Sequence, residues 1–187
     1  MRMHTFGCNK PEHFIDLYAD VLKNPKSILE IGVQTGKSLI MWRNAFPDAE
    51  VTGLDKDDVL ETLPETITFV KGDHDDLETL NKLGNYDLII DDGSHKTGSQ
   101  QFMFDILFKH VNPGGQYVIE DLETSYMERF VNSPMSTVEF LKGLIDTMNN
   151  AEGDIKRLTF EEDIVVIEKR WFYALASETQ PQSQKDT

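Results

Sequence analysis

Positive charge is scarce in this chain: 18 Lys and Arg stand against 33 Asp and Glu, a formal net charge of −15. Such a surface repels phosphate backbones and anionic lipid, so nucleic acid and membrane surfaces are excluded as partners. The surplus of acid serves solubility. Cysteine is limited to Cys8, which rules out an internal disulfide and fits a reducing cytoplasm. No apolar run nears the roughly eighteen residues of a membrane span. The start, Met1-Arg2-Met3-His4-Thr5, lacks the apolar core of a signal peptide. Internal repeats and linker-like stretches are also missing. The expectation is one soluble, cytoplasmic domain over residues 1–176, followed by a polar, disordered tail over 177–187.

What the chain does have is a series of short apolar runs, each stopped by glycine or acid. Ser27 to Val33, Glu50 to Asp55, Thr66 to Val70, Tyr86 to Ile90 and Gln116 to Ile119 read as five buried strands. Helical spacing separates them. Pro11 opens a stripe of Phe14, Leu17, Tyr18 and Val21, and Leu39, Trp42 and Phe46 share a face. Further helices are expected over 77–83, over 99–111 with Met103, Ile106, Leu107 and His110 inward, and over 137–149. Asn112-Pro113-Gly114-Gly115 reads as a turn, and residues 122–136 as a loop. Ile155 to Phe160 and Ile164 to Glu168 flank Glu161-Glu162-Asp163, an antiparallel hairpin. Strands alternating with helices and closed by a hairpin specify an α/β fold, a doubly wound, mostly parallel sheet. The hairpin edge and the aromatic stretch Trp171-Phe172-Tyr173 suit either core packing or the contact of a homodimer.

In open α/β sheets, ligands bind beyond the carboxyl ends of the strands. The first such end is Leu29-Glu30-Ile31-Gly32-Val33-Gln34-Thr35-Gly36-Lys37-Ser38. Its glycines allow positive φ and close approach of backbone to a ligand. The spacing E-x-G-x-x-x-G is neither the dinucleotide fingerprint G-x-G-x-x-G nor a P-loop. An acid beside the turn suits a ligand with positive charge, an ammonium or a sulfonium. Asp55, about twenty residues on, is placed to accept both ribose hydroxyls of an adenosine. Asp73 ends the third strand, where an adenine edge would lie. Taken singly, each acid is equally a helix cap or a solvated turn. Jointly they outline a nucleoside site.

Two further ends carry the most acid. Ile89-Ile90-Asp91-Asp92-Gly93-Ser94-His95 and Val118-Ile119-Glu120-Asp121 bring four carboxylates and a histidine to one crevice. Carboxylates so crowded repel one another, and burying them unpaired is costly. A divalent cation is the simplest partner.

At these residues the chain resembles the class I S-adenosylmethionine-dependent methyltransferases. Glu30-Ile31-Gly32 with Gly36 matches their first motif, Asp55 their ribose acid, Asp73-His74 their adenine position and Asp91 their fourth-motif acid. The run Asp91-Asp92-Gly93-Ser94-His95 together with Glu120-Asp121 is similar to the magnesium-dependent sugar O-methyltransferases of macrolide biosynthesis. The resemblance implies S-adenosylmethionine at Glu30, Gly32, Gly36, Ser38, Asp55, Asp73, His74 and Asp91. It implies Mg²⁺ or another divalent cation on Asp92, Glu120 and Asp121, and His95 as the general base. His74 taken alone stands evenly between cofactor contact and loop residue.

The chemistry suits the residue types independently of the resemblance. Mg²⁺ takes few protein ligands, all oxygen, and keeps positions for water or substrate. Coordination acidifies an acceptor hydroxyl, and a neutral imidazole accepts its proton near neutral pH. The expected function is methyl transfer to a hydroxyl of a small molecule, such as a sugar or vicinal diol. Two other readings share the site: a non-catalytic S-adenosylmethionine or nucleoside-binding protein, and a cephalosporin-hydroxylase-like enzyme on the same fold. A nicotinamide oxidoreductase is disfavoured, because G-x-G-x-x-G is missing and Glu30 precedes the turn. His4 and His13 carry no evident chemistry.

Overall fold

The apolar runs at Ser27–Ile31, Tyr86–Asp91 and Gln116–Ile119 become strands buried on both faces, as the crossovers of a parallel sheet require, while the run ending at Lys71 is half exposed. The computed structural model describes residues 7–59, 61–149 and 153–171. In chain order these form α1 (Glu12–Val21), β1 (Ser27–Ile31), α2 (Lys37–Ala45), β2 (Glu50–Asp55), β3 (Ile67–Lys71), α3 (Leu77–Asn81) and β4 (Tyr86–Asp91). Then follow α4 (Thr97–Leu107), β5 (Val111–Ile119), α5 (Thr137–Asn149), β6 (Ile155–Glu161) and β7 (Ile164–Lys169). Among the described residues the strands make one sheet in the order β3-β2-β1-β4-β5-β7-β6. It is parallel from β3 to β5 and antiparallel where β7 joins β5 and β6 joins β7. This is the doubly wound sheet with a closing hairpin.

The period of two along each strand divides the core into two layers. Ile28, Leu88, Ile90 and Val118 face one way and meet Phe14 and Leu17 of α1 and Trp42 of α2. Leu29, Ile31, Ile89 and Tyr117 face the other way and meet Met103, Phe104 and Leu107 of α4 and Leu141 of α5. Burial of each such side chain contributes about 2 kcal/mol. A single truncation in the middle, Trp42→Ala, would cost about 3–5 kcal/mol. The same alternation sends polar residues to defined sides. Glu30 shares a side with Ile28, and Glu120 shares one with Val118, so both look toward α1.

Three local expectations are corrected. Asn112 to Gly115 is drawn into β5 rather than closing a turn before it, and the pairing with β4 slips between Tyr86 and Leu88. That irregularity accommodates Pro113, which has no N–H to give a ladder. Helix α4 begins at Thr97 and stops at Leu107, so His110 sits in a short 3-10 turn, its Nδ1 3.1 Å from the Gly84 carbonyl. Phe104 is one of the buried side chains on the α4 face turned to the sheet. The segment after β5 is not a plain loop: Leu122–Tyr126 and Glu128–Phe130 form 3-10 turns. Phe172, Tyr173 and the tail expected over 177–187 lie outside the described residues. Trp171 is exposed.

The topology fixes where a ligand can sit. From β1 the chain moves outward through β2 to β3, then returns to β4 on the other side of β1. The crevice opens where that order reverses, between the carboxyl ends of β1 and β4.

Candidate active site

Gly32 follows β1 with φ +82°, and a Cβ there would stand 2.0 Å from the Asp92 carbonyl oxygen. Only glycine allows that approach. The Gly32 N–H donates to the Leu54 carbonyl and the Asp92 N–H to the Ile31 carbonyl, each at 2.9 Å. The ends of β1, β2 and β4 are therefore tied by backbone alone. Gly36, with φ +87°, turns the chain into α2. Asp55 supports the turn from β2: its Oδ2 accepts the N–H groups of Val33 and Gln34 at 2.9 Å, and its Oδ1 accepts from Asp57 at 3.0 Å. One lone pair of Oδ1 remains for a ligand hydroxyl.

Beyond this turn lies a cleft of about 480 Å³, whose walls include Gly32, Ser38, Asp55, Asp92, His95 and Asp121. Asp92, His95 and Asp121 each offer a ligand atom there, and those atoms all lie within 4.8 Å of one another. His95 and Asp121 have φ 56° and 57°, the left-handed region that costs a side-chain-bearing residue about 1–2 kcal/mol. The Thr124 hydroxyl lies within hydrogen-bond reach of both their carbonyls, at 3.1 and 2.6 Å. Burial raises the Asp121 carboxyl pKa, with the neighbouring His95 pulling the other way.

Beneath the cleft, on the α1 side, Lys10 is buried with only 3% of its side chain exposed. Its Nζ donates to Asp92 Oδ2 at 2.9 Å and to the Glu120 oxygens at 2.8 and 2.7 Å. Glu30 Oε1 is 3.0 Å from the same ammonium, although neither Glu30 oxygen receives a hydrogen bond. The Tyr18 hydroxyl donates to Glu120 Oε1, while its ring packs edge-on to Trp42 at 5.0 Å. Burial opposes the Lys10 charge, but Glu120, Glu30 and Asp92 outweigh it and hold its pKa well above 10.5.

Asp91 lies on the opposite side of β4, fully buried. Its Oδ1 accepts the Gly93 N–H at 3.3 Å and its Oδ2 has no partner. Burial pushes its pKa well up, and Asp92, Asp75 and Asp121 add to the rise. His74 is buried beside Gly93, with Nε2 unpartnered. Asp73 is exposed and accepts the Asp75 N–H at 2.9 Å.

Residues 29–122 match a family described as a methyltransferase domain. The chain belongs to that family. This methyltransferase domain is 35% identical over 167 residues to mycinamicin VI 2''-O-methyltransferase of Micromonospora griseorubida, covering 80% of the chain and 41% of that protein. It is 34% identical over 167 residues to demethylmacrocin O-methyltransferase of Streptomyces fradiae, with coverage of 80% and 41%. The solved complex of MycE methyltransferase with Mg, SAH and mycinamycin VI superposes with a TM-score of 0.73 at 33% identity, over 85% of the chain and 49% of MycE. The chain thus spans about two fifths of the length of these curated relatives. A putative caffeoyl-CoA O-methyltransferase from Staphylococcus aureus shares the fold, with a TM-score of 0.60 at 18% identity over 87% of the chain and 85% of that protein.

Of the residues singled out in the sequence of this methyltransferase domain, Gly32, Ser38, Asp55, Asp92, His95 and Asp121 border the cleft. Glu30, Asp91 and Glu120 stand behind it, fully or nearly fully buried. The Glu120 carboxylate accepts hydrogen bonds from Lys10 and Tyr18 beside that cluster. Lys10 carries no local signal in the sequence. It precedes the first helix in a stretch without periodicity, and its partners lie 20 to 110 positions away in sequence. Tyr18 shows in the sequence as a member of the α1 apolar stripe, and its ring packs in that core. One cue was available: three acids sent to the α1 side of the sheet by strand parity require a cation from that side.

Proposed function

We propose that this domain transfers a methyl group from S-adenosylmethionine to a hydroxyl of a small molecule, with a divalent cation at the cleft. The reading is carried by the convergence of Asp92, His95 and Asp121 within 4.8 Å, in one cleft with the glycine turn and Asp55. The residues fit both groups. Asp92, Asp121 and the neighbouring Glu120 offer carboxylate oxygens suited to Mg²⁺, which takes few protein ligands and keeps its other positions for water and substrate. The wall of Gly32, Ser38 and Asp55 suits a nucleoside, and the surrounding acid suits a sulfonium.

In this reading Asp92, Glu120 and Asp121 would hold the cation, and Glu30, Gly32, Gly36, Ser38 and Asp55 would form the cofactor side. Asp73, His74 and Asp91 complete it toward the adenine and methionine portions. When bound, the cofactor would supply an electrophilic methyl and the cation would acidify an acceptor hydroxyl held beside it. His95 takes the acceptor's proton, its ring held toward Asp121 at 3.3 Å. Holding both reactants in one cleft supplies much of the rate.

The acceptor is a hydroxylated small molecule, as the names of the macrolide and sugar methyltransferase relatives suggest, and not a nucleic acid, given the charge of −15. A cytoplasmic location accords with the single cysteine. No described helix is long and apolar enough to cross a membrane. Strand β6, at the sheet edge among the described residues with Phe160 exposed, supports a homodimer, which light scattering would test. The central test is calorimetry with S-adenosylmethionine, with and without chelator, alongside methyl transfer to a panel of glycosides. Cofactor binding that survives chelation and turnover that does not is the expected result; no cofactor binding would sink the proposal.

A further inference from the structure

We infer that β6 pairs antiparallel with β6 of a second copy of this chain, about a two-fold axis through Thr159, joining the two sheets into one. The inference gives a register to the homodimer proposed above and rests on that reading, independently of methyl transfer.

Among the described residues β6 is the outermost strand of the sheet, with β7 on one side only. Its outer row of backbone N–H and C=O groups is a template for another strand. The opposite edge is blunter: β3 has five residues, and Lys71 at its end is held by Asp58 at 2.8 Å. Strand β6 has seven residues, Ile155–Glu161, and no proline. Its irregularity lies at the start, where the pairing with β7 slips between Ile155 and Arg157 and Lys156 reaches Glu168 at 2.7 Å. From Arg157 to Glu161 the strand is regular.

The sequence of that regular part is complementary to itself. A strand pair related by a two-fold axis is isologous, so residue i faces residue j and j faces i. With Thr159 on the axis, Arg157 faces Glu161 of the second copy, Leu158 faces Phe160, and Thr159 faces Thr159. Opposite charges, apolar pairs and threonine pairs directly across are the contacts that stabilise antiparallel strands. Moving the axis by one residue breaks the match. On Leu158 it sets Ile155 against Glu161 and Arg157 against Thr159; on Phe160 it sets Leu158 against Glu162.

The side chains are placed for this pairing. Arg157 and Glu161 are exposed, and among the described residues neither forms an ion pair. Phe160 is 46% exposed. Strand alternation puts it on the α5 side with Leu158, which packs at the margin of the core there. Pairing lays Leu158 of each copy beside Phe160 of the other and takes apolar surface out of water.

The test is sedimentation equilibrium of the whole chain over a concentration series. Salt of about 0.15 M screens the long-range repulsion between two acidic molecules. The parent should sediment as a dimer in reversible exchange with monomer. Glu161→Arg sets arginine against arginine, and Arg157→Glu sets glutamate against glutamate. Each should weaken dimerisation by about tenfold or more. The double reversal, Arg157→Glu with Glu161→Arg, restores opposite charges and should return the affinity to within about threefold of the parent. Rescue of this kind cannot come from a damaged fold, and circular dichroism checks each variant. A dimer indifferent to both single reversals, or a double reversal no better than the singles, overturns the pairing while the homodimer stands. A parent that is monomeric throughout overturns both and leaves the methyl-transfer reading untouched.

Discussion

His95 and Asp121 face each other across the cleft with Nδ1 3.3 Å from Oδ2, and both hold a left-handed backbone. Two unfavourable conformations side by side are kept only where the surroundings over-determine them, and such strain gathers at sites of chemistry. One arm of the pair comes from the end of β4 and the other from the end of β5. Their shared conformation brings an imidazole and a carboxylate to one point.

His95→Gln removes the proposed base while keeping a polar side chain of similar reach. Methyl transfer is expected to fall by about a hundredfold or more. Calorimetric affinities for S-adenosylmethionine should stay at the parent value, because the proposed role of His95 is toward the acceptor and not the cofactor. Full activity in this variant on a true acceptor would remove His95 from its role.

The two glycines of the turn should respond very differently to alanine. At Gly32 the new Cβ meets the Asp92 backbone at 2.0 Å on top of an unfavourable φ. Overpacking against backbone and a left-handed alanine together cost about 3 kcal/mol or more. At Gly36 the nearest atom is the end of the flexible Leu63 side chain, at 3.0 Å, so Gly36→Ala should cost only about 1–2 kcal/mol. Urea midpoints separate the two. Gly32→Ala should also displace Asp92 and weaken Mn²⁺ binding, which Gly36→Ala should leave unchanged.

Local pattern made most of the fold legible, because parallel strands advertise themselves as apolar runs and glycine or acid marks their ends. What escaped was decided at a distance. The residues of Asn112 to Gly115 have the composition of a turn, yet β4 supplies a partner that pulls them into β5. Lys10 carries no local signal at all: a lysine before a helix is usually solvated, and this one is buried by three acids from three strand ends. The acids themselves were readable as a cluster. Their division between two sides of the sheet, Asp91 apart from Asp92 and Glu120, follows from the alternation of strand residues and needed only the strand boundaries.

Tyr18 tests how far the buried network depends on its hydroxyl. Tyr18→Phe keeps the ring against Trp42 and removes one of the donors to Glu120, a buried carboxylate. The expected loss is about 1–2 kcal/mol of stability. In the Glu120→Gln background the same change should cost less, since the charged acceptor is gone. Urea unfolding of the two single variants and the double variant gives the coupling directly; simple additivity would mean that the hydroxyl and the carboxylate do not interact.

Acid sensitivity should originate in part far from the cleft, at Glu168 on β7. Burial pushes its pKa up, but hydrogen bonds from Lys156, at 2.7 Å, and from Lys23 outweigh that and leave it below 4.5. A carboxylate with a depressed folded pKa stabilises the fold above its unfolded value and loses that contribution as pH falls through the folded one. The parent should therefore exceed Glu168→Gln in stability at neutral pH. The difference is no more than about 1 kcal/mol, because both lysines are nearly half exposed and screened. It should hold down to about pH 4.5 and shrink below it. Urea midpoints of both proteins between pH 7 and pH 3 measure this, and a gap that stays constant across the range would show that the lysines do not set the charge of Glu168.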